Sequence, residues 1–236
     1  MNWPVTLTRG PVRLRPLRRS DSRRWHSVRR SNAAWLRQWE ATLPLADPGV
    51  PATFGAMVRS YRREAHGGRS LAFALDVDGV LMGQVTLGGL AWGSLRSGYI
   101  GYWISQEVAG RGIMPLAVAM VTDHAFGTLA LHRIEINIRP ENSASLRVVD
   151  KLGFRREGHR PRYLHIDGAW RDHTSFVMLS DEWPAGGLVG DIERHGWCDS
   201  RSAPSDDRAA DRHNHGPADQ ADSEGTVRDM GGPTRS

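Results

Sequence analysis

The chain has 236 residues with a formal net charge of +5 and 39% hydrophobic residues, enough for one large core and an appendage. Its one cysteine, Cys198, excludes an intrachain disulfide and a cysteine-rich metal site. The N-terminus lacks an apolar stretch of signal-peptide length, and nowhere do about eighteen apolar residues follow one another, so we expect a cytoplasmic protein that crosses no membrane.

The first part of the chain predicts a strand, three helices and a hairpin. An alternating segment makes residues 12–16 a strand, and Asp21 is placed to cap the helix that follows. The three helices are expected over residues 21–30, 33–40 and 51–65. Residues 70–77 and 80–90 flank Asp78-Gly79, a dipeptide typical of tight hairpin turns, so these two runs are expected to pair antiparallel.

The second part alternates strands and helices around a glycine-containing turn. The pattern predicts strands over residues 97–104, 133–138, 155–166 and 170–180, and helices over residues 114–128 and 143–152. A helical crossover joins the first two of these strands, so they are expected to lie parallel, whereas Asp167-Gly168 joins the last two as a hairpin. The fold class is therefore α/β, a mixed sheet with one parallel pair.

The composition changes after residue 183. Residues 184–236 hold 6 arginines against 10 acidic residues and scarcely an aliphatic cluster, whereas hydrophobic runs recur up to that point. Such a segment cannot bury enough apolar area to offset the entropy of ordering it. We therefore expect one folded domain over residues 1–183 and a disordered acidic tail over residues 184–236.

The turn after the strand at residues 97–104 has the properties of a phosphate site. Gly110 and Gly112 flank Arg111, and the helix start exposes backbone N–H groups at the positive end of its dipole. A Gly-Lys-Ser/Thr sequence is missing, which excludes a nucleotide triphosphatase loop, and the third glycine of a dinucleotide-binding fold is absent as well. An ordinary tight turn remains the alternative on these residues alone.

Separated segments resemble one known family. The glycine turn, the Asn142-x-x-Ser145 helix start and the Leu152-Gly-Phe154 helix end resemble the acetyl-CoA-dependent N-acetyltransferases of the GNAT superfamily. Residues 31–40, 101–103 and 163–173 resemble the RimJ-type ribosomal-protein alanine N-acetyltransferases within it, and the resemblance covers residues 11–183. It implies a GNAT-like acyl-CoA N-acyltransferase fold, in which a mostly antiparallel sheet contains a central parallel strand pair that splays around acetyl-CoA.

The resemblance also implies which residues bind acetyl-CoA. It places the pyrophosphate on the glycine turn and the pantetheine arm along the preceding strand, and it requires no metal. The implied cofactor-binding residues are Trp103, Ile104, Ala109, Gly110, Arg111, Gly112, Ile113, Met114, Asn137, Asn142 and Ser145. The family favours Gln or Arg where Ala109 stands, so one side-chain contact is missing, and Asn142 is equally well explained as a helix cap.

The resemblance suggests an acid but leaves the base open. Ser145 is the candidate general acid for the departing thiolate, with a plain helix-start serine as the alternative. Tyr163 is the rival acid, with packing in the core as the alternative. The strand before the glycine turn contains no carboxylate, so the candidates for the base are Glu40, Glu107 and Glu135. We select Glu135, acting through water, with an ion pair to Arg133 as the alternative.

A weak base favours an acceptor amine of low pKa. An α-amino group, with a pKa of about 7.7–8.0, is neutral far more often at pH 7 than a lysine side chain at about 10.4. We therefore expect the α-amine of a protein N-terminus as the acceptor, and the RimJ-type resemblance points to a ribosomal protein. Trp35, Trp39 and Glu40 are expected to border the acceptor groove. Neither nucleic acid nor a membrane is required, and a monomer and a homodimer are both compatible.

Two other functions are compatible with the same residues. One is acetylation of a small amine, such as an amino acid, a polyamine or an aminoglycoside. The other is a non-catalytic acetyl-CoA-binding module, which Ala109 and the missing strand carboxylate favour.

Overall fold

The computed structural model describes residues 3–45 and 53–195, which contain eight strands and six α-helices. The strands are β1 (Leu7–Arg9), β2 (Val12–Pro16), β3 (Leu71–Val77), β4 (Val80–Ala91), β5 (Ser97–Ile104), β6 (Arg133–Ile138), β7 (Arg155–Ile166) and β8 (Ala169–Leu179). The helices are α1 (Ser22–Ser31), α2 (Ala33–Arg37), α3 (Phe54–His66), α4 (Ile113–Asp123), α5 (Ser143–Lys151) and α6 (Gly187–Arg194). None of the helices in the described residues is both long and apolar enough to cross a membrane.

All eight strands belong to one sheet, in the order β1-β2-β3-β4-β5-β6-β8-β7. Neighbouring strands are antiparallel except β5 and β6, which run parallel and are connected through α4. This confirms the predicted mixed sheet with one parallel pair. The predicted bounds of β5, β6 and β7 agree with the structure, whereas β1 is an edge strand that the sequence pattern did not reveal.

Helices cover both faces of the sheet, because its strands alternate between two apolar clusters. On β3, Phe73 and Leu75 belong to the main core, while Ala74 between them belongs to a smaller cluster with Val58 of α3. The main core also contains buried residues of α4, α5 and α6. Helix α4 is buried along most of its length, so it forms the centre of the main core.

Several helices differ in detail from the predicted ones. Helix α2 ends at Arg37 instead of residue 40, and α3 begins at Phe54, where the Thr53 side chain accepts a hydrogen bond from Ala56 N. The predicted helix over residues 114–128 is α-helical only to Asp123 and continues as a π-helix. Asp21 stands at the N-cap of α1, but its carboxylate binds Arg15 at 2.8 Å instead of capping the helix.

The chain beyond residue 183 folds against α4. The Asp123 carboxylate at the end of α4 accepts hydrogen bonds from Trp183 Nε1 and from the backbone N–H groups of Leu188 and Val189, at 2.7, 2.7 and 3.0 Å. It thereby satisfies donors that the first turn of a helix leaves without partners. A Cβ at Gly187 would lie 2.8 Å from this carboxylate, which explains the glycine at that position.

The predicted domain border at residue 183 is therefore wrong for the residues that follow it directly. Leu188 and Ile192 of α6 are buried at 2% and 3% exposure, because their i, i+4 spacing directs both side chains into the main core. We propose that the folded domain extends through α6. Residues 196–236, and with them Cys198, lie outside the described residues, so disorder of that segment stays a prediction.

The Asp123 contacts predict a loss of stability on mutation. Asp123→Ala leaves two backbone N–H groups and an indole N–H without their acceptor, so we expect the free energy of unfolding to fall by about 1–3 kcal/mol. Chemical denaturation checks this, with Asp181→Ala as the control, since Asp181 is exposed and lies shortly before α6 in the chain. Equal stability of the two variants would show that Asp123 does not hold α6.

Candidate active site

The parallel strands β5 and β6 separate after three residue pairs. Their ladder joins Ser97, Gly98 and Tyr99 to Arg133, Ile134 and Glu135, and within these fully described strands it goes no further. Beyond that point β5 stays paired with β4 up to Ile104, and β6 stays paired with β8 up to Ile138. The carboxyl ends of the two strands therefore border an opening in the middle of the sheet, which confirms the predicted splay.

The turn from β5 into α4 presents backbone donors beside this opening. Gly112 is the N-cap of α4 with φ of 75°, and no described side chain caps the helix. The first-turn residues Ile113 and Met114 bury their side chains in the core, so they can offer only backbone N–H groups to a ligand. Gly110 has φ of 79°, and a Cβ there would meet nothing within 4 Å. The turn thus offers open space and backbone N–H groups at a helix N-terminus, a geometry that favours an anion.

Helices α1 and α2 are tied to the same turn. The buried Asn32 side chain lies where α1 meets α2; its amide donates to Ser105 Oγ at 3.0 Å and its oxygen accepts from Gln106 N at 2.8 Å. Trp35 Nε1 donates to the Ile104 carbonyl oxygen at 3.2 Å. These bonds fix the α1–α2 corner over the end of β5. Sequence reasoning identified Trp35 but missed Asn32, although Asn32 lies in the segment that carried the resemblance.

Tyr102 is a functional candidate that the sequence did not reveal. It shares a face of β5 with Ile100 and Ile104, on the side of the main core, and its hydroxyl is buried without a hydrogen-bond partner among the described residues. Burial raises the pKa of Tyr102 to about 12, and the Ser145 hydroxyl, which lies close by but outside normal hydrogen-bond geometry, acts against that rise. The phenol therefore stays protonated at neutral pH, as a donor beside Ser145 and the opening.

Ser145 lies in the first turn of α5, where Asn142 accepts a hydrogen bond from Ser145 N at 3.0 Å. The structure thus shows the capping role of Asn142, and its contact with a ligand stays a prediction. Of the other implied ligand-binding residues, Trp103 packs its ring 5.3 Å from Trp25 on the far face of β5, so it can offer only its backbone to the opening. Ala109 is partly buried and Arg111 is exposed.

The face of the sheet opposite to the main core, called the second face below, carries a polar network between β6, β7 and β8. Arg133 binds Glu135 Oε1 at 3.1 Å and Arg160 binds Glu135 Oε2 at 2.7 Å, so arginines occupy both oxygens of this carboxylate. Ser175 Oγ donates to Asn137 Oδ1 at 2.6 Å, which places Asn137 on the same face. The ion pair with Arg133, considered above as the alternative, is the observed role of Glu135. A base role for Glu135 would require displacing two guanidinium groups.

Tyr163 lies on this second face, at an irregularity of β7. The β7–β8 register shifts between Arg160 and Leu164, and Tyr163 is 38% exposed, so it does not pack in the core. Its ring centroid lies 4.9 Å from Arg160 Cζ and 5.4 Å from the ring of His173. Tyr163 and Tyr102 therefore belong to different faces, and Tyr102 is the one beside Ser145.

The segment around α2 bridges the end of β6 and the tip of the β7–β8 hairpin. Arg139 donates to the Gln38 carbonyl oxygen at 2.7 Å and lies 5.3 Å from the centroid of the Trp39 ring. At the hairpin tip, Thr42 N donates to the His165 carbonyl oxygen at 2.9 Å. Glu40, expected to attract an ammonium group, forms an ion pair with Arg29 instead. Trp35 and Trp39 are partly buried, so this segment covers the second face beside the opening.

Comparisons with known proteins agree with this geometry. Residues 12–155 match the family described as "Acetyltransferase (GNAT) domain". The ribosomal protein uS5 alanine N-acetyltransferase of Escherichia coli is 30% identical over 190 residues, which cover 77% of this chain and 94% of that protein. The structure titled "Mycobacterium smegmatis RimJ in complex with CoA-disulfide" superposes with a TM-score of 0.76 at 37% identity, covering 82% of this chain and 96% of that one.

Two further relatives have other names. The probable N-acetyltransferase YjcK of Bacillus subtilis is 40% identical over 105 residues, and this match covers 44% of this chain and 58% of that relative. The spermidine N(1)-acetyltransferase of Escherichia coli is 28% identical over 179 residues, 74% of this chain and 89% of that protein. Both names describe an N-acetyltransferase, and only the second one names an amine, spermidine.

The open space at Gly110 predicts the effect of a methyl group there. Gly110→Ala adds a Cβ where a phosphate is expected and strains a positive φ, so we expect the Kd for CoA to rise about tenfold, about 1.4 kcal/mol. Gly79→Ala is a matched control, because Gly79 also has φ of 79° and open space but lies in the β3–β4 turn. Calorimetry with CoA measures both. If the two variants bind CoA with equal Kd, the phosphate does not bind at this turn.

The unpaired hydroxyl of Tyr102 predicts opposite effects on stability and activity. Tyr102→Phe removes a buried group that has no partner, so the free energy of unfolding is expected to stay equal or to rise by up to about 1 kcal/mol. Acetyl transfer is expected to fall about tenfold, because the donor beside Ser145 is lost. Denaturation and initial rates check this, with the exposed Tyr99→Phe on the same strand as the control. Full activity, or a loss of stability, would contradict the assignment.

Proposed function

Since the chain belongs to the GNAT acetyltransferase family and is an acetyl-CoA-dependent N-acetyltransferase, we propose that its acceptor is the N-terminal α-amine of a protein. The observation that carries this proposal is that Glu40, Glu135 and Glu141 are each paired with an arginine. The named activity of the uS5 alanine N-acetyltransferase, which the chain matches over most of its length, supports a ribosomal protein as the target.

The described residues fit acetyl-CoA, which supplies the acetyl group as a thioester. Gly110 leaves open space and the start of α4 after Gly112 offers backbone donors for its phosphates, while the separated strands leave inner-edge backbone groups of β5 beyond Tyr99 for its amide-containing arm. Among the described residues no group of His, Cys, Asp and Glu is arranged to hold a metal ion. Binding and orientation by this chain therefore rest mainly on backbone amides.

The side chains on the main-core face act on the leaving sulfur. Ser145 Oγ donates a hydrogen bond to the sulfur as negative charge develops there, and the buried Tyr102 hydroxyl supports it as a second donor. Burial disfavours the phenolate form of Tyr102, so we assign Tyr102 to charge stabilisation and not to proton transfer. The departing thiolate then takes its proton from solvent.

The paired carboxylates distinguish a peptide from a polyamine. Glu40, Glu135 and Glu141 are each bound to an arginine, so these acidic groups after α2, on β6 and just beyond β6 already have counter-ions. A polyamine carries several ammonium groups and would have to displace these arginines to find counter-ions. A protein N-terminus brings one ammonium group and a backbone that can hydrogen-bond to the strands, which suits this surface.

A panel of acceptors tests the proposal. We expect peptides that begin with Ala, Ser or Thr to be acetylated with a kcat/KM at least about a hundredfold above that of spermidine, because spermidine lacks counter-ions here. The control is the same peptide with a blocked N-terminus and a free lysine, which should remain unmodified at pH 7 because its amine is almost fully protonated. Transfer to spermidine alone would establish the small-amine alternative, and CoA binding without any transfer would establish the non-catalytic one.

A further inference from the structure

His173 has the properties of the missing general base. It lies on β8 at 3% exposure and is the residue next to Thr174, the partner of Ile138 at the last position of β6. On β8, His173 therefore lies one residue beyond the last β6–β8 pair, at the end of β6 that borders the opening. Its pairing with Arg160 puts it on the second face, with Asn137 and Ser175.

A contact with the backbone determines the tautomer of the His173 imidazole. His173 Nδ1 lies 3.0 Å from the Arg171 carbonyl oxygen, and a carbonyl can only accept, so Nδ1 carries the hydrogen. In the neutral ring the lone pair is then on Nε2. The hydrogen bonds in the described part of the chain engage Nδ1 alone, which leaves Nε2 able to accept a proton.

Burial keeps this ring neutral. It lowers the pKa of His173 below the ordinary histidine value, and the Arg171 carbonyl acts against that shift. The charged groups around the ring come from the end of β6, from β8 and from β7: Arg139 and Glu141, then Arg171 and Asp172, then Arg160 beside Tyr163. Arg139 lowers the pKa further, while Glu141 and Asp172 raise it. At neutral pH the ring is thus in its basic form.

We propose that His173 is the general base that accepts the proton of the attacking amine through Nε2, on the face opposite to Ser145 and Tyr102. The amine nitrogen forms a bond to the thioester carbonyl carbon and loses one proton to Nε2. The carbon–sulfur bond breaks with its electron pair on sulfur, which is protonated from solvent. The imidazolium returns its proton to solvent. This inference rests on the proposed function for the acceptor but not on the identity of the protein that carries the amine.

The first test is kinetic. His173→Asn retains an amide donor for the Arg171 carbonyl and removes the base, so kcat is expected to fall about 10²-fold with an unchanged Kd for CoA. His159→Asn is the matched control, because His159 lies on the neighbouring strand with its side chain exposed at 46%. In the wild type, log kcat/KM is expected to fall more steeply at a pH below the ordinary histidine pKa of about 6.5, where His173 is protonated besides the amine. The variant is expected to lack that bend.

A second measurement does not depend on activity or on the variant. Nitrogen NMR of the histidine-labelled wild type is expected to show a buried ring with hydrogen on Nδ1 and a pKa below the ordinary value of about 6.5. A ring that carries hydrogen on Nε2 at neutral pH would overturn the proposal.

The outcomes separate this inference from the proposed function. If the wild type acetylates only small amines, the acceptor assignment fails, and the same variant is tested with the amine that is used. If the wild type is active on any amine and His173→Asn retains its kcat and its pH profile, the base assignment fails alone. A fall in rate that comes with a matching loss of CoA affinity would assign His173 a structural role and would likewise overturn the proposal.

Discussion

The separation of β5 from β6 after three residue pairs is the constraint on which the site depends. A strand in the middle of a sheet normally pairs on both sides, and a buried backbone N–H or carbonyl without a partner is costly. Here β4 holds β5 and β8 holds β6 along their outer edges, so the inner edges can diverge without either strand being lost. Beyond the ladder, the Ile104 carbonyl accepts a hydrogen bond from Trp35 of α2. The remaining backbone groups are available to a ligand that has its own amides.

Because successive side chains of a strand point to opposite faces of the sheet, the opening has a different chemical environment on each face. Along β5 this alternation directs Ile100, Tyr102 and Ile104 to the main core, and along β8 it directs His173 and Ser175 to the opposite face. In the proposed mechanism, the donor pair and the acceptor nitrogen therefore act from opposite sides of the sheet. This arrangement suits acyl transfer, in which the amine loses a proton on one side of the carbonyl while the sulfur gains negative charge on the other.

Local patterns were sufficient for the elements but not for the contacts between them. The alternation of Ile134, Ile136 and Ile138 predicts β6 with its observed bounds, and the glycine turn predicts the start of α4, because both depend on neighbours in the sequence. By contrast, α6 was assigned to the tail because the average composition over many residues concealed Leu188 and Ile192 at helical spacing. His173 was missed because its tautomer depends on a carbonyl two residues away and its neutrality on burial. Neither property is visible in the residue type.

The site is maintained at a cost to the folded chain. The Tyr102 hydroxyl is buried without a partner, a neutral imidazole is buried at His173, and the inner edges of two strands lack a ladder. The Tyr102 hydroxyl and the open strand edges disfavour folding, since a buried polar group without a partner costs about 1–3 kcal/mol. The stabilising contacts lie elsewhere: the buried helix α4, and α6 held by Asp123 at its far end. The polar groups that a ligand must satisfy are therefore concentrated where the sheet divides. For this reason we expect CoA to stabilise the protein chiefly through β5 and β6, while α6 is equally stable with and without it.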